Sequence, residues 1–180
     1  METYISLLRG INVSGSKMIK MDQLKKLYHE LQFTGIQTYI QSGNVIFKTG
    51  IKDIKSLENL ISSAIKAQFG YDVPVLVLLK DKLLEIINNN PFLKNDPDMD
   101  VSGLYVTLLQ EAPSDEATEK IMALDFSPEK IVLQNQVLFL FLPKGYGNTK
   151  LNNNFFESRL KTSATTRNWK TLMAIASLAE

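Results

Sequence analysis

The chain has 180 residues, of which 44% are hydrophobic and 22% are charged, the composition of an ordinary globular domain. It contains no cysteine and one histidine, which excludes a disulfide framework, thiolate catalysis and Cys-ligated metal sites. The chain has twenty basic and nineteen acidic residues, so its net charge is too small for the global positive field expected of a bulk nucleic-acid binder. We expect neither a metal nor another cofactor.

The beginning of the chain lacks a basic leader ahead of an apolar run, as well as a small-residue cleavage site. The longest apolar stretches, 73–79 and 137–142, are far shorter than the roughly 20 residues that a membrane-spanning helix needs. We therefore expect a cytoplasmic protein without a membrane partner.

The first 80 residues contain six predicted elements separated by turn residues. Met21 begins an amphipathic helix, Asp53 can cap a second one, and Gly70 lies where a helix-ending glycine is expected. Ser42, Gly43 and Asn44 suit a tight hairpin turn. The strands are 4–8, 36–41, 45–48 and 73–79. The order is β-α-β-β-α-β, that of a ferredoxin-like unit with helices on one face of an antiparallel sheet.

A short helix and a turn-rich linker are predicted at 81–100, and the first part of the same order recurs beyond them. The predicted strands there are 101–109, 130–133 and 136–142, with a helix at 114–124 and further helices at the C-terminal end. The residue types at 136–139 resemble those at 44–47, which suggests that one unit was duplicated and that the two copies have since diverged. We predict an α+β protein of two ferredoxin-like units, 1–80 and 101–180, with C-terminal helices.

Two segments suggest an anion site. The loop at 10–17 has the glycine spacing of a P-loop, but Ser16 separates Gly15 from Lys17, so we do not expect nucleotide hydrolysis. Its backbone N–H groups could hold an anion with Arg9 and a nearby lysine. Residues 144–170 contain six basic side chains and one acid.

The second segment ends in a predicted helix with Thr165 as its cap and Trp169 on its apolar stripe. This helix would place Arg167 in the positive first turn, where a cation is unfavourable unless an anion or a carboxylate lies near it.

Three motifs, at 7–13 with 20–21, at 38–45 and at 165–171, resemble those of a bacterial family known as domain of unknown function 1697. The resemblance spans nearly the whole chain and implies two ferredoxin-like units. In this family the loop commonly has Gly-Gly after the valine, whereas here Ser14 and Gly15 follow Val13. A role that needs bare backbone at position 14 is therefore in doubt.

The polar groups within these motifs would form one cationic, hydrogen-bonding pocket if the fold joined them. They are Arg9, Asn12, Lys20, Tyr39, Ser42, Asn44, Arg167 and Asn168. We hypothesise that this pocket holds a phosphate-bearing or other anionic small ligand, with the two arginines as bidentate clamps and Asn12 and Asn44 orienting it.

Two alternatives stay open beside this hypothesis, a nucleic-acid-binding module and an interaction protein without catalytic activity. The first predicts exposed aromatic side chains and basic residues on an open sheet face, and the second predicts an exposed apolar patch. An enzyme would need a titratable group with a shifted pKa in the pocket, for which Lys20, Tyr39 or a carboxylate are the candidates. The oligomeric state is open as well.

Overall fold

The computed structural model describes all residues 1–180. They form two compact units. Unit 1 comprises Met1–Leu84 and Ala174–Glu180, and unit 2 comprises Glu85–Met173.

Unit 1 begins with one β-α-β-β-α-β sequence of elements. These are β1 (Glu2–Leu8), α1 (Met21–Glu30), β2 (Thr34–Tyr39), β3 (Asn44–Thr49), α2 (Ile54–Phe69) and β4 (Val75–Leu79). The sheet is antiparallel in the order β2-β3-β1-β4, so the two hairpin strands lie on one side of β1 and β4 forms the opposite edge. The predicted ferredoxin-like unit is confirmed.

The alternation of side chains along the strands places one core between the sheet and its helices. Tyr4 and Leu8 of β1, Phe47 of β3 and Leu24 of α1 are among its buried residues. Within it the Tyr28 hydroxyl lies 2.7 Å from Ser6 Oγ, so that each polar group has a partner. The opposite face of the sheet is also apolar and buried, with Ile5, Leu7, Ile46, Leu76 and Leu78.

Helix α2 has the ends that its sequence predicts. The Asp53 carboxylate accepts a hydrogen bond of 2.9 Å from the Ser56 backbone N–H, and Gly70 ends the helix with a φ of 75°. After β4, helices α3 (Lys80–Asn88) and α4 (Pro91–Asn95) and a 3₁₀ turn at Val101–Gly103 lead to the second sheet. This turn shortens the strand predicted at 101–109, because the Asp100 side chain accepts from the Ser102 N–H and caps the turn.

Unit 2 repeats the arrangement. Its elements are β5 (Leu104–Leu109), α5 (Asp115–Met122), β6 (Lys130–Gln134), β7 (Val137–Phe141), α6 (Asn153–Leu160) and β8 (Ala164–Asn168), followed by α7 (Trp169–Leu178). The sheet is antiparallel in the order β6-β7-β5-β8, which is the order of the first sheet. Leu109, Leu138, Leu140 and Phe156 lie in the core between this sheet and its helices.

The prediction of a helix that begins at Thr165 was wrong. Residues 164–168 pair with β5 as the edge strand β8, and the helix begins only at Trp169. Asn168 takes the place of Thr165 as the cap, since its Oδ1 accepts from the Thr171 N–H at 2.8 Å. Arg167 is therefore a strand residue and does not lie in the first turn of a helix.

One edge strand of each sheet, β4 in unit 1 and β8 in unit 2, is protected by a carboxylate from a helix of the same unit. Glu58 Oε1 of α2 accepts from the Val77 N–H of β4 at 2.9 Å, and Glu157 Oε1 of α6 accepts from the Ala164 N–H of β8 at 2.9 Å. These carboxylates accept from backbone N–H groups that could otherwise pair with a strand of another molecule. None of the helices is both long and apolar enough to span a membrane.

Candidate functional site

The loop that resembled a P-loop is a miniature hairpin. The Asn12 N–H donates to the Lys17 carbonyl at 3.2 Å, and the Ser16 N–H donates to the Val13 carbonyl at 2.8 Å. Ser14 and Gly15 have φ values of 49° and 75°, which are the two positive angles of a type I′ turn. Helix α1 begins only at Met21, so its N-terminus is not joined directly to the turn as it would be in a P-loop.

The side chain of Asn12 fastens this hairpin to the rest of unit 1. Its Oδ1 accepts from the Ile19 N–H at 2.8 Å, and its Nδ2 donates to the carbonyls of Ile19 and Gln41 at 2.9 and 2.8 Å. Ile11 and Ile19 bury their side chains at the two ends of the loop. Asn12 thus joins the 10–20 loop to the turn between β2 and β3.

Asn44 has a similar structural role inside that turn. It is fully buried, and its Nδ2 donates to the Tyr39 carbonyl at 2.9 Å and to Ser42 Oγ at 3.0 Å. Tyr39, Asn44 and Leu7 are cross-strand neighbours on the sheet face opposite the helices. The structure therefore brings Asn12, Tyr39, Ser42 and Asn44 together around one turn, and the two amides hold its shape.

The two cationic candidates of unit 1 differ in their surroundings. Arg9 directly follows β1 and is half-buried, and its backbone N–H donates to the Pro74 carbonyl at 3.0 Å. Lys20 is exposed at the N-cap position of α1 and makes no capping hydrogen bond through its side chain. The Lys17 ammonium group donates a hydrogen bond to the Asp72 carbonyl oxygen.

Arg167 and Asn168 lie in unit 2, at the end of β8. In the sheet, Arg167 is opposite Val106 of β5, on the face that points away from α5 and α6. The strand pairings make Leu78 of β4 the equivalent position in unit 1, since Leu8 pairs with Val75 as Leu109 pairs with Ala164. A guanidinium thus occupies a position that carries a leucine in the other sheet.

Arg167 is half-buried. Burial lowers the pKa of its guanidinium to about 10, and the nearby Tyr146 hydroxyl opposes the shift. Nη1 donates to the Thr166 carbonyl at 3.0 Å. With this pKa the side chain is still a cation at neutral pH.

The beginning of α7 adds positive charge beside Arg167. Asn168 is the N-cap, Lys170 lies in the first turn, and the first turn contains no acidic residue. Helices are normally stabilised by acids at this end, as in α5, whose first turn carries Asp115 and Glu116. A basic side chain at the positive end of a helix dipole is unfavourable by itself. For Lys170 part of this cost is offset by the Asp100 carboxylate, whose pKa Lys170 helps to lower.

Sequence reasoning missed a polar network on the other face of β8. Thr166 Oγ1 lies 2.7 Å from Thr107 Oγ1 and also donates to Asn153 Oδ1 at 2.7 Å. The Tyr146 hydroxyl accepts from the Asn153 N–H at 3.1 Å. The threonine pair Thr165-Thr166, typical of strands, was the available signal for this element.

Six of the eight predicted site residues therefore belong to unit 1, and Arg167 and Asn168 belong to unit 2. The pocket that would join all eight stays a prediction. The family model of the protein of unknown function DUF1697 matches residues 1–139. The chain belongs to the DUF1697 family. The third motif of the earlier resemblance, which contains Arg167 and Asn168, lies outside the matched residues.

A solved structure gives this DUF1697 protein a relative of known fold. It is that of the conserved bacterial protein SP0830 from Streptococcus pneumoniae, with 20% sequence identity and a TM-score of 0.78 over 99% of each chain. At this identity the likeness shows the shared fold alone. A comparison with curated proteins gave no significant match.

Proposed function

We propose that this protein is a cytoplasmic binding protein for a phosphate-bearing or other anionic small ligand, and that Arg167 is its principal anchor. The observation that carries the proposal is the charge pattern at the junction of β8 and α7. Arg167 precedes the cap, Lys170 follows it, and no acid occupies the first turn. An anion at this junction would interact favourably with Arg167 and with the helix dipole, whereas Lys170 already interacts with the Asp100 carboxylate.

The desolvation of Arg167 strengthens this argument. Burial disfavours the guanidinium cation, as its lowered pKa indicates, and a bound anion would compensate for that cost. A guanidinium can also present two parallel N–H donors to a phosphate or carboxylate, which a lysine cannot. The sheet does not need a cation here, because Leu78 fills the equivalent position of unit 1.

A thermal-shift titration at low salt tests the proposal. Sulfate, inorganic phosphate, nucleotides, sugar phosphates and short oligonucleotides are added to the wild type, to Arg167→Leu and to Arg167→Lys. Arg167→Leu copies the apolar residue of unit 1 and should fold, whereas Lys120→Ala removes an exposed cation of α5 as a control for general charge loss.

We expect one ligand class to stabilise the wild type and Lys120→Ala equally, since a ligand that binds only the folded state raises its melting temperature. Arg167→Leu should lose this stabilisation and Arg167→Lys should keep a small part of it. Equal stabilisation of Arg167→Leu and the wild type would refute Arg167 as the anchor. Stabilisation by oligonucleotides alone would favour the nucleic-acid alternative, although all aromatic side chains are buried or half-buried.

A second candidate function, protein interaction, is favoured by one feature of unit 1. Val13, Met18 and Ile40 are 57%, 58% and 50% exposed, on the two loops that Asn12 joins. Ile40 has a φ of 51°, an unusual conformation for a β-branched residue. If these loops bind a protein or a second copy of the chain, Ile40→Glu should abolish an association detectable by light scattering. A monomeric wild type that captures no partner would count against this function.

A further inference from the structure

A cleft of about 440 Å³ in unit 2 is lined by none of the eight predicted site residues. It opens between the loop that precedes β6 and the segment that follows β7. Phe126, Leu151 and Phe155 supply apolar walls, and the rings of the two phenylalanines meet edge to face with centroids 5.9 Å apart. Its volume falls in the usual range for small-molecule sites.

Four charged side chains line the same cleft, and the two signs come from different segments. Asp125 and Glu129 belong to the loop before β6, whereas Lys144 and Lys150 belong to the segment after β7. These four side chains form no ion pair with one another. Asp125 is held in place by Ser127, whose backbone N–H and hydroxyl donate to Oδ1 at 2.9 and 2.7 Å and lower the pKa of the carboxyl group.

We infer that this cleft binds a zwitterion with an apolar body, namely an amino acid with an apolar side chain. The two lysines match a carboxylate, and the two acids match an ammonium group. A simple anion would meet two carboxylates, and a simple cation would meet two ammonium groups, so each would lose part of its attraction. The apolar walls suit a side chain of the size of leucine or phenylalanine.

The inference is tested by chemical-shift titrations of the ¹⁵N-labelled full chain with three probes that share one aromatic body. L-Phenylalanine carries both charges, 3-phenylpropionate only the negative one, and phenethylamine only the positive one. We expect L-phenylalanine to shift the amides of residues 125–129 and 144–151 with an affinity about tenfold above that of either analogue.

Two variants test the acidic and the basic side chains of the cleft separately. Glu129→Gln should weaken the binding of L-phenylalanine and phenethylamine and, because it removes a repulsive carboxylate, slightly strengthen that of 3-phenylpropionate. The double variant Lys144→Gln/Lys150→Gln should weaken the binding of L-phenylalanine and 3-phenylpropionate and slightly strengthen that of phenethylamine. Lys52→Gln, an exposed cation of unit 1, is the control and should bind like the wild type. All four positions are at least partly exposed, and unshifted amides elsewhere would verify the fold of each variant.

Three results would overturn the inference. One is the absence of saturable shifts at the cleft with L-phenylalanine. Another is an affinity for 3-phenylpropionate that equals that of L-phenylalanine, which would indicate a plain anion site. The third is binding that neither charge variant alters. None of these results bears on Arg167, so this inference and the proposed function can fail separately.

Discussion

Gly43 ends the turn between β2 and β3, and its replacement by alanine should destabilise the protein for two separable reasons. Its φ is 75°, which costs an L-residue about 1–2 kcal/mol. An added Cβ would also lie 2.7 Å from Leu8 Cβ and from Ile11 Cδ1. Both neighbours are buried, and Leu8 Cβ cannot move without its backbone, so the overpacking adds about 1–3 kcal/mol. We expect Gly43→Ala to lower the unfolding free energy by about 2–5 kcal/mol.

Gly15→Ala is a matched control for this substitution. Gly15 also has a φ of 75°, but an added Cβ would meet no atom within 4 Å, so only the backbone cost of about 1–2 kcal/mol applies. Thermal unfolding followed by far-ultraviolet circular dichroism, which reports on both units, compares the two variants. Each kcal/mol corresponds to about 2–4 °C for a chain of this size. Equal losses for the two variants would refute the steric part of the reasoning.

Three other predictions concern strain, a buried hydrogen bond and pH. Ile40→Asn should raise the unfolding free energy by about 1 kcal/mol in urea titrations, because asparagine tolerates the φ of 51° and the isoleucine is half exposed; an unchanged midpoint would contradict the strain. Tyr28→Phe should cost about 1–2 kcal/mol by the same measurement, because Ser6 loses its 2.7 Å partner in the core; a neutral effect would contradict this. Sulfate affinity measured by calorimetry should stay within about twofold between pH 6 and 9, because a pKa of about 10 keeps Arg167 roughly 90% protonated at pH 9; a steep loss of affinity within this range would contradict Arg167 as the anchor.

Unit 1 was predictable from the sequence because its signals are local and agree with one another. Asp53 and Gly70 lie at the ends of α2, where a capping carboxylate and a left-handed residue are required. The hairpin turn was found from Ser42, Gly43 and Asn44, but the positive φ values lie at Ile40 and Gly43. The fixed position of Asn44 explains the difference, because its amide is used to close the turn.

Strand β8 could not be predicted in the same way. Its sequence, Ala-Thr-Thr-Arg-Asn, lacks alternation of apolar and polar residues. The apolar stripe that begins at Trp169 therefore predicts a helix that starts earlier, at Thr165. What makes the segment a strand is its pairing with β5, which is distant in sequence, and the carboxylate of Glu157 on Ala164. Long-range pairing overrode a local pattern.

The sequence echo between 44–47 and 136–139 is out of register by one residue. The pairing of Leu7 with Asn44 and of Leu108 with Val137 makes Val45 equivalent to Leu138. A shift of one residue turns every side chain to the other face of a sheet. Val45 accordingly packs against the helices of unit 1, whereas Val137 lies on the opposite face of its sheet. The two units therefore share a fold, but the sequence match between 44–47 and 136–139 does not align structurally equivalent residues.

Strands β4 and β8, which occupy equivalent edges of the two sheets, differ in the side chains of one face. Both β4 and β8 have a helix carboxylate on a backbone N–H, so the device that protects the edge is common to the two units. On the face away from the helices, however, Leu76 and Leu78 of β4 correspond to Thr165 and Arg167 of β8. Leucine fills both positions in unit 1, whereas in unit 2 they carry the buried Thr165 and the half-buried Arg167. Because the same fold manages without that cation in unit 1, the sheet itself does not require the arginine, and Arg167→Leu is expected to fold.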